Sequence, residues 1–143
     1  MELNGLSIDQ APPISAPLRF YLTAPIFAII AGFLILFSDA NILMSRYSTD
    51  SIIITHALTI GFLGFIMLGS LTQMLPVLAG AIIPKVSLVT KISHALLIFG
   101  TIFMLLGLNF DNSLLDVLAF LFLGIGFIII LTSISLGISL KLL

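Results

Sequence analysis

The sequence contains no cysteine and few charged side chains. Without cysteine, disulfides, thiolate metal sites and iron–sulfur clusters are excluded. Only 8% of its 143 residues are charged, whereas a soluble domain is about 25% charged, so this chain cannot cover a water-facing surface. Five Lys and Arg against six Asp and Glu form no basic patch for a nucleic acid. The composition therefore excludes a soluble enzyme, a disordered protein and a nucleic-acid binder.

Long apolar runs are what the chain does contain. Hydrophobic residues make up 60% of it, and its mean hydropathy is +1.34. A transmembrane helix needs roughly 20 apolar residues, and four runs are long enough: about Arg19 to Ser38, Ser51 to Gly80, Val86 to Leu108, and Leu114 to Leu140. We therefore predict an all-α, polytopic protein in a lipid bilayer, with four transmembrane helices within residues 19–143. Residues 1–18, which include three prolines, are predicted to form an irregular N-terminal tail.

The charged residues predict the orientation of these spans. Basic residues flank the start of span 1, the connection between spans 2 and 3, and the end of span 4: Arg19, Lys85, Lys91 and Lys141. The opposite side has one arginine and four aspartates: Arg46, Asp39, Asp50, Asp111 and Asp116. Because basic loops stay in the cytoplasm, we expect both termini to be cytoplasmic, in a prokaryotic-type inner membrane.

Small residues predict how spans 3 and 4 pack, because they let two membrane helices approach closely. Each span has three of them at seven-residue intervals, which places them on one stripe: Ser93, Gly100 and Gly107 in span 3, and Ala119, Gly126 and Ser133 in span 4. An antiparallel hairpin that folds at Ser113 brings the two stripes to matching depths. We also expect Asp50 to cap the start of helix 2.

Two histidines are the only titratable residues deep in the predicted spans. The absence of a deep Asp, Glu, Lys or Arg speaks against a proton-coupled exporter. His94 lies three residues after Lys91 and is expected near the inner interface, within reach of water, with a ligand or proton-relay role as the alternative. The predicted hairpin offsets the two histidines by about 16 residues, or roughly 24 Å. They therefore cannot share one metal ion within a protomer.

His56 is the stronger candidate for a ligand. Thr59 and Leu63 share its helix face at 100° per residue, and Gly32 is predicted to lie level with it and to leave room for a flat ligand. The alternative for His56 is a hydrogen bond between helices. Met67 and Met74 on the same face could supply soft copper ligands, although a methionine on a helix more often fills space in the core.

The segment from Thr55 to Gly80, THALTIGFLGFIMLGSLTQMLPVLAG, resembles the haem–copper oxidase subunit I superfamily. It is most similar to the short relatives near nitric oxide reductase and the nitric-oxide-response haem–copper membrane proteins. Subunit I has twelve helices with pseudo-threefold symmetry, and the second helix of its first third carries an axial haem histidine. The resemblance implies that His56 occupies that position and that a homotrimer of this four-helix chain rebuilds the twelve-helix ring.

The resemblance also defines what is expected to bind. It implies haem b, held by one His56 or by two from neighbouring subunits. Copper is less favoured, because the chain lacks the family's adjacent histidine pair. The family's acidic proton-channel residues are missing as well. The expected function is that of a membrane haem-binding, cytochrome b-like protein in electron transfer or gas binding. Whether it is an enzyme and which redox partner it uses stay open.

Three alternatives remain at this point. The first is a non-catalytic membrane scaffold or assembly subunit in which His56 only joins helices. The second is a small transporter or channel. The third is a site for a metal ion alone, formed by three copies of His56 at a threefold axis.

Overall fold

The structure is a computed structural model that describes residues 11–38 and 45–142. Most of the predicted tail, residues 1–10, lies outside the described residues, as do Asp39 and Leu143. The described chain forms four helices, each long and apolar enough to cross a membrane: α1 (Ser15–Phe37), α2 (Thr49–Ala79), α3 (Val86–Phe110) and α4 (Ser113–Leu142). The predicted all-α fold with four spans is confirmed. Helix α1 begins four residues before the boundary predicted for the tail.

Helices α1 and α2 pack along each other, and α3 contacts both of them. Helix α4 packs chiefly on α3, so much of its apolar surface stays exposed. The core between the first three helices contains large apolar side chains that are almost fully buried: Phe20, Phe27, Phe65 and Leu97. A helix satisfies most of its backbone polar groups internally, as a hydrocarbon environment requires, although Pro25 in α1 and Pro76 in α2 supply no backbone N–H.

The two ends of the bundle differ in charge. The start of α1 lies beside the end of α2, since Phe20 contacts Gly69. The end of α4 reaches the same place, where Lys141 donates a hydrogen bond to the carbonyl of Ala79. Arg19, Lys85, Lys91 and Lys141 therefore lie towards one end, and Asp50, Asp111 and Asp116 towards the other.

The start of α2 differs from the prediction, because its N-cap is Ser48 and not Asp50. The Ser48 hydroxyl accepts a hydrogen bond from the Ser51 backbone N–H at 3.3 Å. Asp50 lies in the first turn, where its negative charge favours the helix dipole without capping the backbone. The cap is therefore two residues earlier than the pattern of charge indicates.

The hairpin between α3 and α4 is tighter than predicted. Helix α3 continues to Phe110, and the turn is only Asp111 and Asn112. Asp111 adopts a left-handed conformation with φ 49°, which ends α3. The Asn112 side-chain carbonyl accepts a hydrogen bond from the Leu114 N–H at 3.0 Å and so caps α4. Ser113, predicted as the centre of the loop, is the first residue of α4.

This shorter turn shifts the register of the two small-residue stripes. The stripes do face the hairpin, since Gly100, Gly107, Ala119 and Gly126 are all buried. However, the glycines contact larger residues of the other helix rather than one another. A Cβ atom at Gly100 would lie 2.8 Å from Leu123, and one at Gly126 would lie 3.0 Å from Leu97. The two helices do contact each other along the predicted stripes, but the predicted matching of the stripes at equal depth is shifted along the helices.

Candidate functional site

The His56 ring has one nitrogen fixed by its own helix. Its Nδ1 atom lies 2.7 Å from the backbone carbonyl oxygen of Ile52, one turn earlier. A carbonyl oxygen only accepts, so Nδ1 must carry the proton, and the Nε2 atom of the neutral ring then carries the lone pair. Among the described residues no hydrogen-bond partner contacts Nε2. The half-buried ring therefore presents one nitrogen that is able to ligate a metal.

The three residues predicted to accompany His56 lie on the outer surface of the chain. Leu63 is 50% exposed, and Thr59 is exposed, with its hydroxyl donating to the Thr55 carbonyl at 2.7 Å. Gly32 is also exposed, and a Cβ atom built there meets nothing within 4 Å. Phe27 of α1 lies against Gly61 of α2. This register places Gly32 at the same depth as His56. The space beside Gly32 is thus open, but α2 does not pack against it.

The same face of α2 continues as an exposed groove. Its volume is about 280 Å³, and Met67, Ser70 and Met74 are among the residues that line it. Both methionines are more than half exposed, so they do not fill the core of this chain. Gln73 is exposed as well. A ligand of His56 would therefore sit outside the four-helix unit, against lipid or a neighbouring chain.

A separate cleft opens between α1, α2 and α3, one turn before His56. It measures about 260 Å³ and is lined almost entirely by apolar side chains, with Ile53, Ile30 and Leu34 on one side and Asn109 as the polar contributor. Small-molecule sites usually measure about 300–1,000 Å³. This cleft is too small to enclose a macrocyclic cofactor within one chain.

His94 is held inside the bundle by a hydrogen bond to another helix. Its Nε2 atom lies 2.8 Å from the Thr23 hydroxyl, which also lies 2.9 Å from the Arg19 carbonyl oxygen. A hydroxyl has one proton to donate. Both contacts are satisfied when Nε2–H donates to Thr23 and Thr23 donates to Arg19. This arrangement fixes the His94 tautomer and joins α3 to α1.

Two aromatic rings complete the surroundings of His94. Its ring makes edge-to-face contacts with Phe20 at 5.2 Å and with Phe65 at 5.8 Å between centroids. The ring thus lies between α1, α2 and α3, towards the end of the bundle that carries Arg19, and its expected position near the inner interface stays a prediction. Phe65 is nine residues after His56 on α2, at most roughly 13 Å along the helix at the α-helical rise. The offset between the two histidines is smaller than predicted, and their surroundings differ.

The backbone around His56 has a feature that the sequence did not indicate. A π-helical segment, Ala57–Gly64, begins directly after His56 and occupies the middle of α2. Such segments are rare, mostly a single turn long, and frequent at functional sites. Gly61 and Gly64 in the segment are the only sequence signal, and glycine is common in membrane helices.

The residues that surround His94 were not predicted from the sequence either. Phe20, Ala24, Phe27 and Ala31 are spaced as one helix face and are all buried, so their periodicity could have identified the packed face of α1. Thr23 lies beside that face, and its role depends on a residue of α3 more than 70 positions later. No local pattern contains that information.

Comparison of this chain with protein-family models, curated proteins and solved structures finds no match. Within residues 11–38 and 45–142, no group of three or more His, Asp or Glu residues is placed to hold a metal ion. The site is therefore defined by its own geometry: one half-buried imidazole beside an exposed helix face, with no hydrogen-bond partner at Nε2 among the described residues.

Proposed function

We propose that this chain is a membrane haem-binding, cytochrome b-like protein in which His56 supplies an axial ligand. The observation that carries the proposal is the hydrogen bond from His56 Nδ1–H to the Ile52 carbonyl. Metal-ligating histidines commonly donate their second ring nitrogen in this way, which fixes the tautomer and strengthens the ligand. Neutral imidazole is an ordinary axial ligand of haem iron.

The donor set of one chain fits part of such a site. The His94 ring is packed against Phe20 and Phe65 and tied to Thr23, which leaves His56 as the imidazole beside an exposed helix face among the described residues. Its exposed surroundings and the small cleft nearby favour a cofactor held between copies of the chain. We therefore propose a homotrimer, consistent with the resemblance to one third of subunit I, because cyclic symmetry closes identical interfaces.

In this assembly the chain's residues would bind and orient the cofactor. His56 would hold the iron through Nε2, while Ile52 keeps the ring in one tautomer. Exposed Leu63 would contribute apolar contacts and exclude water, and the open space beside Gly32 would accept a flat ring. Haem itself would supply a one-electron redox centre or a site for a diatomic gas.

The charge asymmetry supports an orientation. Arg19, Lys85, Lys91 and Lys141 lie towards one end of the bundle, and basic ends face the cytoplasm. We propose that both termini are cytoplasmic in a prokaryotic-type inner membrane. Labelling of single cysteines placed at Lys91 and Asp111 in intact cells tests this, and external labelling of the Lys91→Cys variant alone would contradict it.

The test of haem binding is an optical spectrum of protein expressed with haem and purified in detergent. We expect a Soret band that is lost in His56→Ala and restored by added imidazole. The matched control is His94→Phe, which keeps an aromatic ring between Phe20 and Phe65 and should retain the band. A folded wild-type protein without a Soret band, or a band that His56→Ala leaves unchanged, would refute the proposal.

A scaffold role is the second candidate, favoured by the contacts of His94. Its hydrogen bond and ring contacts tie three helices together, as expected of a purely structural polar residue in a membrane. A colourless, metal-free protein that remains a stable oligomer of defined mass would support this role over haem binding.

A further inference from the structure

The π-helical segment of α2 begins directly after His56 and ends before Phe65. At its start, the backbone N–H of Ala57 lies within hydrogen-bonding distance of the carbonyls of both Ile53 and Ile54. Most π segments are single-turn bulges, so eight residues of widened helix need support from outside the helix. The contacts of this segment with α1 supply that support.

Phe27 of α1 occupies the space where Gly61 lacks a side chain. A Cβ atom at Gly61 would lie 2.5 Å from Phe27 Cγ and 2.7 Å from its Cβ. The Phe27 ring is buried and also contacts the Phe65 ring, with 5.5 Å between centroids. Phe27 therefore contacts the π segment at Gly61 and the first residue after it, Phe65.

The spacing of buried residues explains why a widened helix is needed here. Ile53, Ala57, Gly61 and Phe65 are all buried and follow one another at intervals of four. In an α-helix four residues turn about 400°, so three such steps would rotate the face by about 120°. The wider π turns cancel this rotation. His56 immediately precedes the segment, so the segment determines the direction in which its ring faces relative to the rest of α2.

We propose that Gly61 and Phe27 are positioning residues for His56. The Phe27 ring, seated at Gly61, maintains the π segment, and the π segment directs His56 Nε2 towards the exposed face of α2. The importance of this direction for ligand binding rests on the proposed haem function, but the direction itself can be measured without haem.

The test uses Gly61→Ala, with Gly64→Ala as the matched control. Both changes add one methyl group to the same segment, but a Cβ atom at Gly64 meets only the Thr59 carbonyl oxygen, at 3.4 Å. Because the chain has no cysteine, a nitroxide on the His56→Cys variant reports the environment of this position alone. A second nitroxide, on the Met67→Cys variant, reports the helix after the π segment.

We expect Gly61→Ala to change the mobility and oxygen accessibility of the label at position 56 several-fold while leaving the label at position 67 unchanged. Gly64→Ala should leave both labels unchanged. The double variant Phe27→Ala/Gly61→Ala removes the clash but also the supporting ring, so the label at position 56 should stay changed. Phe27→Leu, which is milder, should shift the label at position 56 in the same direction as Gly61→Ala.

An unchanged label at position 56 in folded Gly61→Ala or Phe27→Leu protein would overturn the proposal. In haem-loaded protein with His56 intact, Gly61→Ala should also alter the electron paramagnetic resonance signal of the iron. If the label responds but wild-type protein has no Soret band, the positioning role stands and the haem function fails. If the Soret band depends on His56 but the label does not respond, the haem function stands and the positioning role fails.

Discussion

The contact between α3 and α4 at Gly100 gives a quantitative prediction. A Cβ atom at this residue would lie 2.8 Å from both the backbone nitrogen and the Cγ atom of Leu123. Carbon atoms pack best at about 3.5–4.0 Å, so Gly100→Ala must separate the helices locally by roughly 0.7–1.2 Å. A gap of about 0.5–1 Å already forfeits a quarter to a half of the local dispersion energy. Overpacking of this kind costs about 1–3 kcal/mol.

Gly124→Ala is the matched control, because a Cβ atom at Gly124 meets nothing within 4 Å. Replacing glycine by alanine in a helix gains roughly 0.5–1 kcal/mol of stability from backbone entropy, and this gain is common to both variants. The difference between them therefore isolates the clash. We expect Gly100→Ala to be about 1–3 kcal/mol less stable than Gly124→Ala.

The assay is reversible unfolding in mixed micelles, followed by far-ultraviolet circular dichroism. Trimming the partner with Leu123→Ala should rescue Gly100→Ala only in part, since one of the close contacts is with the Leu123 backbone. If Gly100→Ala is as stable as Gly124→Ala, the two helices do not meet in this register and the reasoning is wrong.

The same unfolding assay checks three further changes. Thr23→Val removes the acceptor for His94 Nε2 and should lower the free energy of unfolding by about 0.6 kcal/mol and by no more than about 1.7 kcal/mol; the loss should vanish in a His94→Phe background. Lys141→Met removes the charge that caps the Ala79 carbonyl and should cost about 0.3–1 kcal/mol, and a full-sized effect at high salt would contradict this electrostatic origin. Asp111→Gly relieves a left-handed φ of 49° and should raise the free energy of unfolding by about 1 kcal/mol; a loss of stability would show that the Asp111 side chain has a role of its own.

The four spans could be predicted from sequence because hydrocarbon imposes a length and a composition on any helix that crosses it. Their ends were harder to predict, since apolar patterns do not specify where a helix stops. The prediction ended the third span at about Leu108, but α3 continues to Phe110 and the left-handed Asp111 ends it. A turn shorter than expected then shifts every contact along the α3–α4 hairpin.

The π segment could not be predicted from the sequence, for a different reason. Its existence depends on a ring of another helix, because Phe27 contacts Gly61 at the point where the turns are widened. A sequence window around His56 shows only two glycines within an apolar run, which is ordinary in a membrane helix. Backbone geometry that is stabilised by a distant side chain has no local signature.

The two histidines show why residue type alone does not identify a ligand. Both are imidazoles within apolar spans, but their hydrogen bonds engage different ring nitrogens. His56 uses Nδ1 within its own helix, so its Nε2 atom stays available on an exposed face. His94 uses Nε2 to join two helices, so the nitrogen that points away from its own backbone is already engaged. Each ring keeps one nitrogen without a hydrogen-bond partner among the described residues, so it is the surroundings that separate them. Phe20 and Phe65 pack against the His94 ring, whereas His56 lies beside the exposed face of α2. His56→Ala should therefore abolish haem binding and His94→Phe should not, although both variants remove a histidine.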